Sequence, residues 1–321
     1  MARVRAQRDV GLDTLYRSLY LIRRVEEEVA RIYPTDKIKS PVHLSIGQEA
    51  ISVGVCQALR ADDVVFGTYR GHALYLAKGG DLKSMIAELY GKAAGVTKGK
   101  GGLMHLIDLT HGIMGGSAVV GTAIPHAVGY AYALKLRGSD SIVTSFFGDG
   151  ATEEGVFYES LNFAALKRLP VLFVCENNFY AIHSPLQTRQ ANLNMAERAS
   201  SLGVVSRRLV DDDVLTLVKE VGLAAAAIRQ GGGPRFLECP TYRWKEHVGP
   251  SDDYHAGYRT LDEAKPWMER DQVRLVGSLL AAPERQQIEL DVEREVSEAF
   301  DFAESSPFPE DSDLMTDVYA D

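Results

Sequence analysis

Cysteine is scarce in this chain. Cys56, Cys175 and Cys239 are the only three in 321 residues, and they stand far apart. With no CxxC pair and no tight Cys/His group, a disulfide scaffold and a zinc module are excluded, and a reducing, cytoplasmic-type compartment is expected. Positive charge is in deficit as well. A formal net charge of -9 argues against nucleic acid as the main partner. No apolar run approaches the roughly 18 residues of a membrane-spanning helix. The basic opening "MARVRAQRDV" has no apolar signal-peptide core. What is present is ordinary globular composition, 45% hydrophobic and 25% charged, with length enough for a large buried core.

Leu12, Leu15, Tyr16, Leu19, Ile22 and Val29 recur at helical spacing with Arg and Glu between them, which predicts an amphipathic N-terminal helix. "GQEAISVGVCQAL" reads as a second helix, and "DDVVFGTYRGH" as a short buried strand running into a loop. Residues 91–121 are dense in glycine, as suits a loop that packs tightly or lets a ligand approach the backbone. In the centre, "SIVTSFF" and "PVLFVC" are continuous apolar runs of strand length. Between them "EEGVFYESLNFAALKRL" reads as a helix, acidic in its first turn and basic in its last. That is a βαβ unit, so its two strands should be parallel. The pattern repeats in "VVSRRLV", "DDDVLTLVKEVGLAAAAIRQ" and "GGGPRFLECP". The expectation is an α/β fold: one open, mainly parallel sheet with helices on both faces. With no repeat or linker in view, residues 1–321 read as one domain with helical extensions at both ends and a polar tail.

The first strand of the βαβ unit runs into "FGDG", and the second into "ENN". Parallel strands place both endings on one edge of the sheet, where open α/β sheets bind ligands. Asp149 and Asn178, 29 residues apart, should therefore converge. Gly148 and Gly150 permit a sharp turn, and the following helix start offers free N–H groups to a phosphate. A carboxylate, an amide oxygen and a phosphate make a hard-oxygen set suited to Mg²⁺. "GDG" alone would read as a plain turn. Paired with "NN" across one helix, it reads as a ligand site.

With these motifs in place, the sequence resembles a known family. "GDG", about 26 residues and then "NN" resembles the thiamine diphosphate motif. "HLSIGQEAISVG", "YRGH", "GKGGLMH", "GDGATEEG", "ENNFYAI", "YRWKEHVGPSDDYHAGYRT" and the ending "SPFP…DVY" narrow the resemblance. They resemble the alpha subunit of the thiamine-dependent first component of 2-oxo acid dehydrogenase complexes, of pyruvate, branched-chain or acetoin type. The resemblance implies the thiamine diphosphate-binding fold and a set of roles. Asp149, the Asn178 side chain and the Tyr180 carbonyl would hold Mg²⁺. Tyr69 and Arg70 would hold the diphosphate, as would the backbone N–H groups of Gly150 and Ala151. The backbones of Ala118 and Val120 would meet the aminopyrimidine ring. His247 would contact the diphosphate and the reacting intermediate, and His72 is a second catalytic candidate. His43, His105, His111, His126 and His183 keep a structural reading, and His255 that of a loop residue.

The resemblance also marks departures. Where the family's late loop has His-Gly-His followed by Ser, this chain has Lys245, Glu246, His247 and Val248. The serine that kinases modify in the animal pyruvate enzyme is gone, and the loop is nearer the acetoin type. Residues 246–260, rich in Gly, Pro, Ser and Asp, are expected to be mobile until cofactor binds. The carboxylate that activates thiamine diphosphate belongs to a second, pyrimidine-binding domain, and Glu49 reads as an ordinary helix residue. The resemblance thus implies a beta subunit supplying that Glu, an α₂β₂ assembly, and a lipoyl-bearing acyltransferase as acceptor. A split transketolase-like or carboligase enzyme, and a binding subunit without chemistry, stay open as alternatives.

Overall fold

The computed structural model describes residues 11–316 and Val318. The basic opening segment and the rest of the "DVY" ending lie outside the described residues. Helices α1, Leu12–Ile32, and α2, Glu49–Ala58, precede strand β1, Val64–Phe66. Helices α3, His72–Ala77, α4, Leu82–Leu89, and α5, Ala123–Leu136, lead to β2, Val143–Gly148. Helix α6, Gly155–Lys167, joins β2 to β3, Val171–Asn177. A minimal hairpin follows, β4, Tyr180–Ala181, and β5, Ser184–Pro185, then α7, Leu186–Arg189, and α8, Met195–Ser201. Strand β6, Val205–Arg208, and helix α9, Val214–Ala227, lead to β7, Arg235–Pro240. Helices α10, Leu261–Glu269, α11, Gln272–Ser278, and α12, Ala282–Ser305, complete the order.

Strands β1, β2, β3, β7 and β6 lie side by side in that order, and every pairing is parallel. Alternation along the strands explains their unbroken apolar runs. Val171, Phe173 and Cys175 enter one core with residues of α5, α6 and α8. Leu172 and Val174 enter the other with residues of α1, α2, α9 and α12. Strands buried on both faces have no polar side to show. Register then aligns the strand ends: Gly148 stands beside Glu176, and Glu176 beside Cys239. The loops after β1, β2, β3 and β7 therefore leave from one edge, and the chain reverses its order there when β7 enters between β3 and β6.

Two local expectations are corrected. Helix α6 starts at Gly155, because Asp149–Glu153 form a 3₁₀ turn first. The Thr152 hydroxyl closes that turn by donating to the Asp149 carbonyl at 2.7 Å. Glu153 and Glu154 thus precede the helix instead of filling its first turn. In the glycine-rich stretch, the first half folds around a side chain of this chain. The buried Glu88 carboxylate accepts the N–H groups of Thr97, Gly99, Gly101 and Gly102, each at 2.9 Å. Gly99 is required there: its φ is +77°, and a Cβ would fall 2.8 Å from the Gly91 backbone. Only the second half, near 117–121, reaches the carboxyl edge of the sheet. Among the described residues no helix is long and apolar enough to cross a membrane.

Candidate functional site

A cavity of about 290 Å³ opens at the carboxyl ends of β1, β2 and β3. Tyr69, Arg70, Val120, Gly148, Asp149, Gly150, Ala151, Asn178, Tyr180 and His247 all line it. They arrive from five segments: 67–70 after β1, 117–121 ahead of α5, 148–154 after β2, 178–182 after β3, and the segment after β7. Ala118 is exposed between two lining residues, Ser117 and Val119, and does not itself line the cavity.

His72 is the catalytic candidate that the structure moves elsewhere. It is fully buried at the start of α3, and its Nδ1 lies 3.2 Å from the Glu26 carboxylate, which also accepts the Ser45 N–H at 2.8 Å. The helix turns this ring into the core, and it is not among the residues that line the cavity.

The two asparagines divide their work. Asn177 is fully buried and donates to Glu238 at 2.9 Å, while its oxygen accepts the Phe179 N–H at 3.1 Å. Asn178 lines the cavity, donates to Gln48 at 3.1 Å and accepts the Tyr180 N–H at 3.2 Å. Phe179 adopts the left-handed region, φ +69°, which lets the chain turn abruptly just after them. Tyr180 anchors the turn from its other end, donating its hydroxyl to Glu263 at 2.6 Å.

The electrostatics are those of cations and neutral rings around a buried carboxylate. Asp149 is 1% exposed. Burial raises its pKa above the ordinary carboxylate value, and the Arg189 guanidinium, ion-paired to it, opposes that rise. Arg70 donates to the carbonyls of Leu44, at 2.7 Å, and His247, at 3.4 Å. Burial lowers its pKa to about 10. His247 stands with His43 and Tyr69 in a ring cluster, centroids 5.3 and 5.7 Å away. Burial first, and then Arg70, lower the His247 pKa to about 3. His247 is therefore neutral in this setting, and only an anion placed opposite it would favour an imidazolium.

Residues 246–260 carry several anchoring contacts. Asp253, buried, pairs with both Arg243 and Arg259. Arg259 donates to the Lys245 carbonyl at 2.8 Å, the Gly249 N–H to Val42 at 2.9 Å, and the Tyr254 hydroxyl to Trp244 at 2.8 Å.

Four residues of the site escaped sequence reasoning. Gln48 sits in the quoted "GQEA", yet nothing in that motif says it will meet Asn178. Glu176 is the next-to-last residue of β3, immediately before the asparagines, and lines the cavity, where burial raises its pKa to about 7. His43 was given a structural role and stands beside Tyr69 at 4.6 Å. Arg189 lies forty residues from Asp149 and carries no local signal.

The residues present fit a divalent cation bound together with a phosphate. Asp149 offers a carboxylate, Asn178 an amide oxygen, and Arg70 a buried cation without a carboxylate bonded to it. Among the described residues no group of three or more His, Cys, Asp or Glu could hold a metal unaided, so the remaining ligands would come from the phosphate and backbone.

Comparison with known proteins gives a consistent picture. The family model described as dehydrogenase E1 component matches residues 17–312. The alpha subunit of acetoin:2,6-dichlorophenolindophenol oxidoreductase from Bacillus subtilis is 37% identical over 310 residues, 95% of this chain and 92% of that one. The alpha subunit of the pyruvate dehydrogenase E1 component from Zymomonas mobilis is 38% identical over 324 residues, 98% and 90% of the two chains. The acetoin subunit from Cupriavidus necator is 36% identical over 313 residues, 95% and 93% of the two.

Proposed function

The chain belongs to the dehydrogenase E1 component family, and from that premise we propose that its cavity binds Mg²⁺–thiamine diphosphate as the alpha subunit of a 2-oxo acid or acetoin dehydrogenase. The observation that carries this reading is convergence. Ten residues from five separate segments line one cavity at the carboxyl edge of the sheet, with one buried carboxylate and one buried arginine among them. When bound, thiamine diphosphate supplies a carbanion that adds to the substrate carbonyl. The chain supplies the setting. Arg70 and Tyr69 neutralise and orient the diphosphate, as do the N–H groups of the 149–153 turn. Asp149, Asn178 and the Tyr180 carbonyl hold the metal. His247, neutral until an anion arrives, can then take a proton and return it beside the reacting carbon.

The same reading requires a beta subunit, which carries the pyrimidine-binding domain and the activating Glu. Glu49 cannot serve in that role, since it is buried and ion-paired with Arg23 while also accepting the Gly47 N–H at 3.0 Å. Val119 and Val120 are exposed beside the cavity, and Tyr132, Leu136, Phe163 and Leu166 are exposed on α5 and α6. Such apolar exposure suits a permanent partner. On this reading the acyl unit would be passed to a lipoyl group on a third protein, whose disulfide would be reduced as it is acylated.

Asp149→Asn tests the reading in the complex with its partner. Calorimetry should show the loss of Mg²⁺-dependent thiamine diphosphate binding with the assembly intact. Unchanged affinity would sink the metal assignment.

A further inference from the structure

Arg189 is the one cation at this site that no motif announced. It ends the four-residue helix α7, and its side chain is only 10% exposed. Its Nη2 pairs with Asp149, its Nη1 pairs with Glu153, and its Nε donates to the Ser184 carbonyl at 3.0 Å. The guanidinium plane is thereby fixed from both sides, by the 149–153 turn and by the β4–β5 hairpin. Both carboxylates line the cavity. Only Oδ2 of Asp149 is engaged by the guanidinium, which leaves Oδ1 free of it.

We propose that Arg189 is a positioning residue for the metal: it locks the Asp149 carboxylate by one oxygen so that the other is held ready for the cation. This rests on the functional reading above. The physical case is that a ligating carboxylate needs a fixed partner to keep one orientation, and a planar guanidinium held on two sides provides it. Groups that hold a ligand rather than the metal commonly set affinity by 10–100-fold. The competing role for the same contact, a guanidinium that occupies the cation's place and must be displaced, predicts the opposite sign.

The test uses the complex with its partner and Mn²⁺ as the probe, titrated by electron paramagnetic resonance at saturating thiamine diphosphate. Arg189→Gln should weaken Mn²⁺ binding roughly 10–100-fold and broaden the bound-ion spectrum, because Asp149 loses its fixed orientation. Arg189→Lys keeps the charge without the fork, so it should recover part of the affinity and not the sharp spectrum. Affinity for Mn²⁺ in Arg189→Gln equal to or tighter than in the unmodified complex overturns the proposal. Should Arg189→Gln fail to assemble, Arg189→Lys decides by itself, and unmodified affinity and spectrum there overturn the proposal equally. Failure of the functional reading looks different: the unmodified complex and Asp149→Asn would then bind Mn²⁺ alike.

Discussion

Arg23 and Arg70 are both buried, but the regions around them are built on opposite terms. In the helical layer, Arg23 sits between Glu49 and Asp271, with its guanidinium 4.5 Å from the Trp244 ring. Burial pulls its pKa down, and the two carboxylates push it up further, so the net direction is up. At the cavity, Arg70 is bonded to two carbonyls and, among the described residues, to no carboxylate, and burial lowers its pKa to about 10. The scaffold neutralises its charges internally. The cavity leaves a cation under-compensated, which is costly in the free protein and useful only if an anion arrives. The 246–260 segment follows the scaffold's terms, with Asp253 set between Arg243 and Arg259.

The largest effect should come from the scaffold. Arg23→Met leaves Glu49 and Asp271 as carboxylates without that cation, and breaking such a buried group costs about 3–5 kcal/mol. Urea unfolding of the assembled complex should show that loss in its midpoint. A loss below about 1 kcal/mol would mean that the two regions are not built differently after all.

Arg70→Met should invert the pattern. Removing one member of a buried, hydrogen-bonded charge pair costs roughly 2–5 kcal/mol of binding, so thiamine diphosphate affinity should fall by on the order of a hundredfold or more. Melting temperature without cofactor should hold or rise, since the fold loses a cation it does not neutralise. Calorimetry and a melting curve on the same preparation separate the two. If affinity is retained, the diphosphate is held elsewhere. If stability falls as in Arg23→Met, Arg70 belongs to the scaffold.

How much of this contrast was legible in the sequence follows from how local each signal is. Strand runs such as "SIVTSFF" and "PVLFVC" announce burial on both faces, so the parallel sheet could be read directly, and with it the meeting of Asp149 and Asn178. Of the two adjacent asparagines one is bonded to Glu238 and the other lines the cavity, and no residue type there announces which. The start of α6 was misplaced because Glu153 and Glu154 look like first-turn acids, while Thr152 closes a 3₁₀ turn ahead of them. His72 followed a motif into the wrong compartment, since position next to Arg70 says nothing about which way a helix turns the ring. The 246–260 segment has loop composition, yet its order comes from Arg243 and Arg259 meeting Asp253, a pairing between residues up to ten positions apart. Glu88 and Arg189 act only through partners brought to them by the fold.

Glu176 gives the smallest and sharpest test, because it is the carboxylate counterpart of the same contrast. Glu49 has Arg23 bonded to it. Glu176, at the end of β3, has no cation bonded to it, and burial raises its pKa to about 7 against the modest attraction of Arg70. The sign follows from linkage: a carboxyl whose pKa is raised by folding stays protonated in the folded chain while the unfolded chain ionises. Its favourable contribution is therefore complete below about pH 4.5, declines as pH rises, and is lost once pH passes about 7. Glu176→Gln mimics the protonated form at every pH. It should raise the cofactor-free melting temperature at pH 8 by several degrees, on the order of 2–3 kcal/mol, and the difference should close toward pH 4. A constant difference across that range would mean that the gain comes from packing and not from the proton. A loss of stability at pH 8 that shrinks toward acid would mean that Glu176 is ionised and neutralised in the fold, which would place it with Glu49 and remove the cavity's claim to be built on different terms.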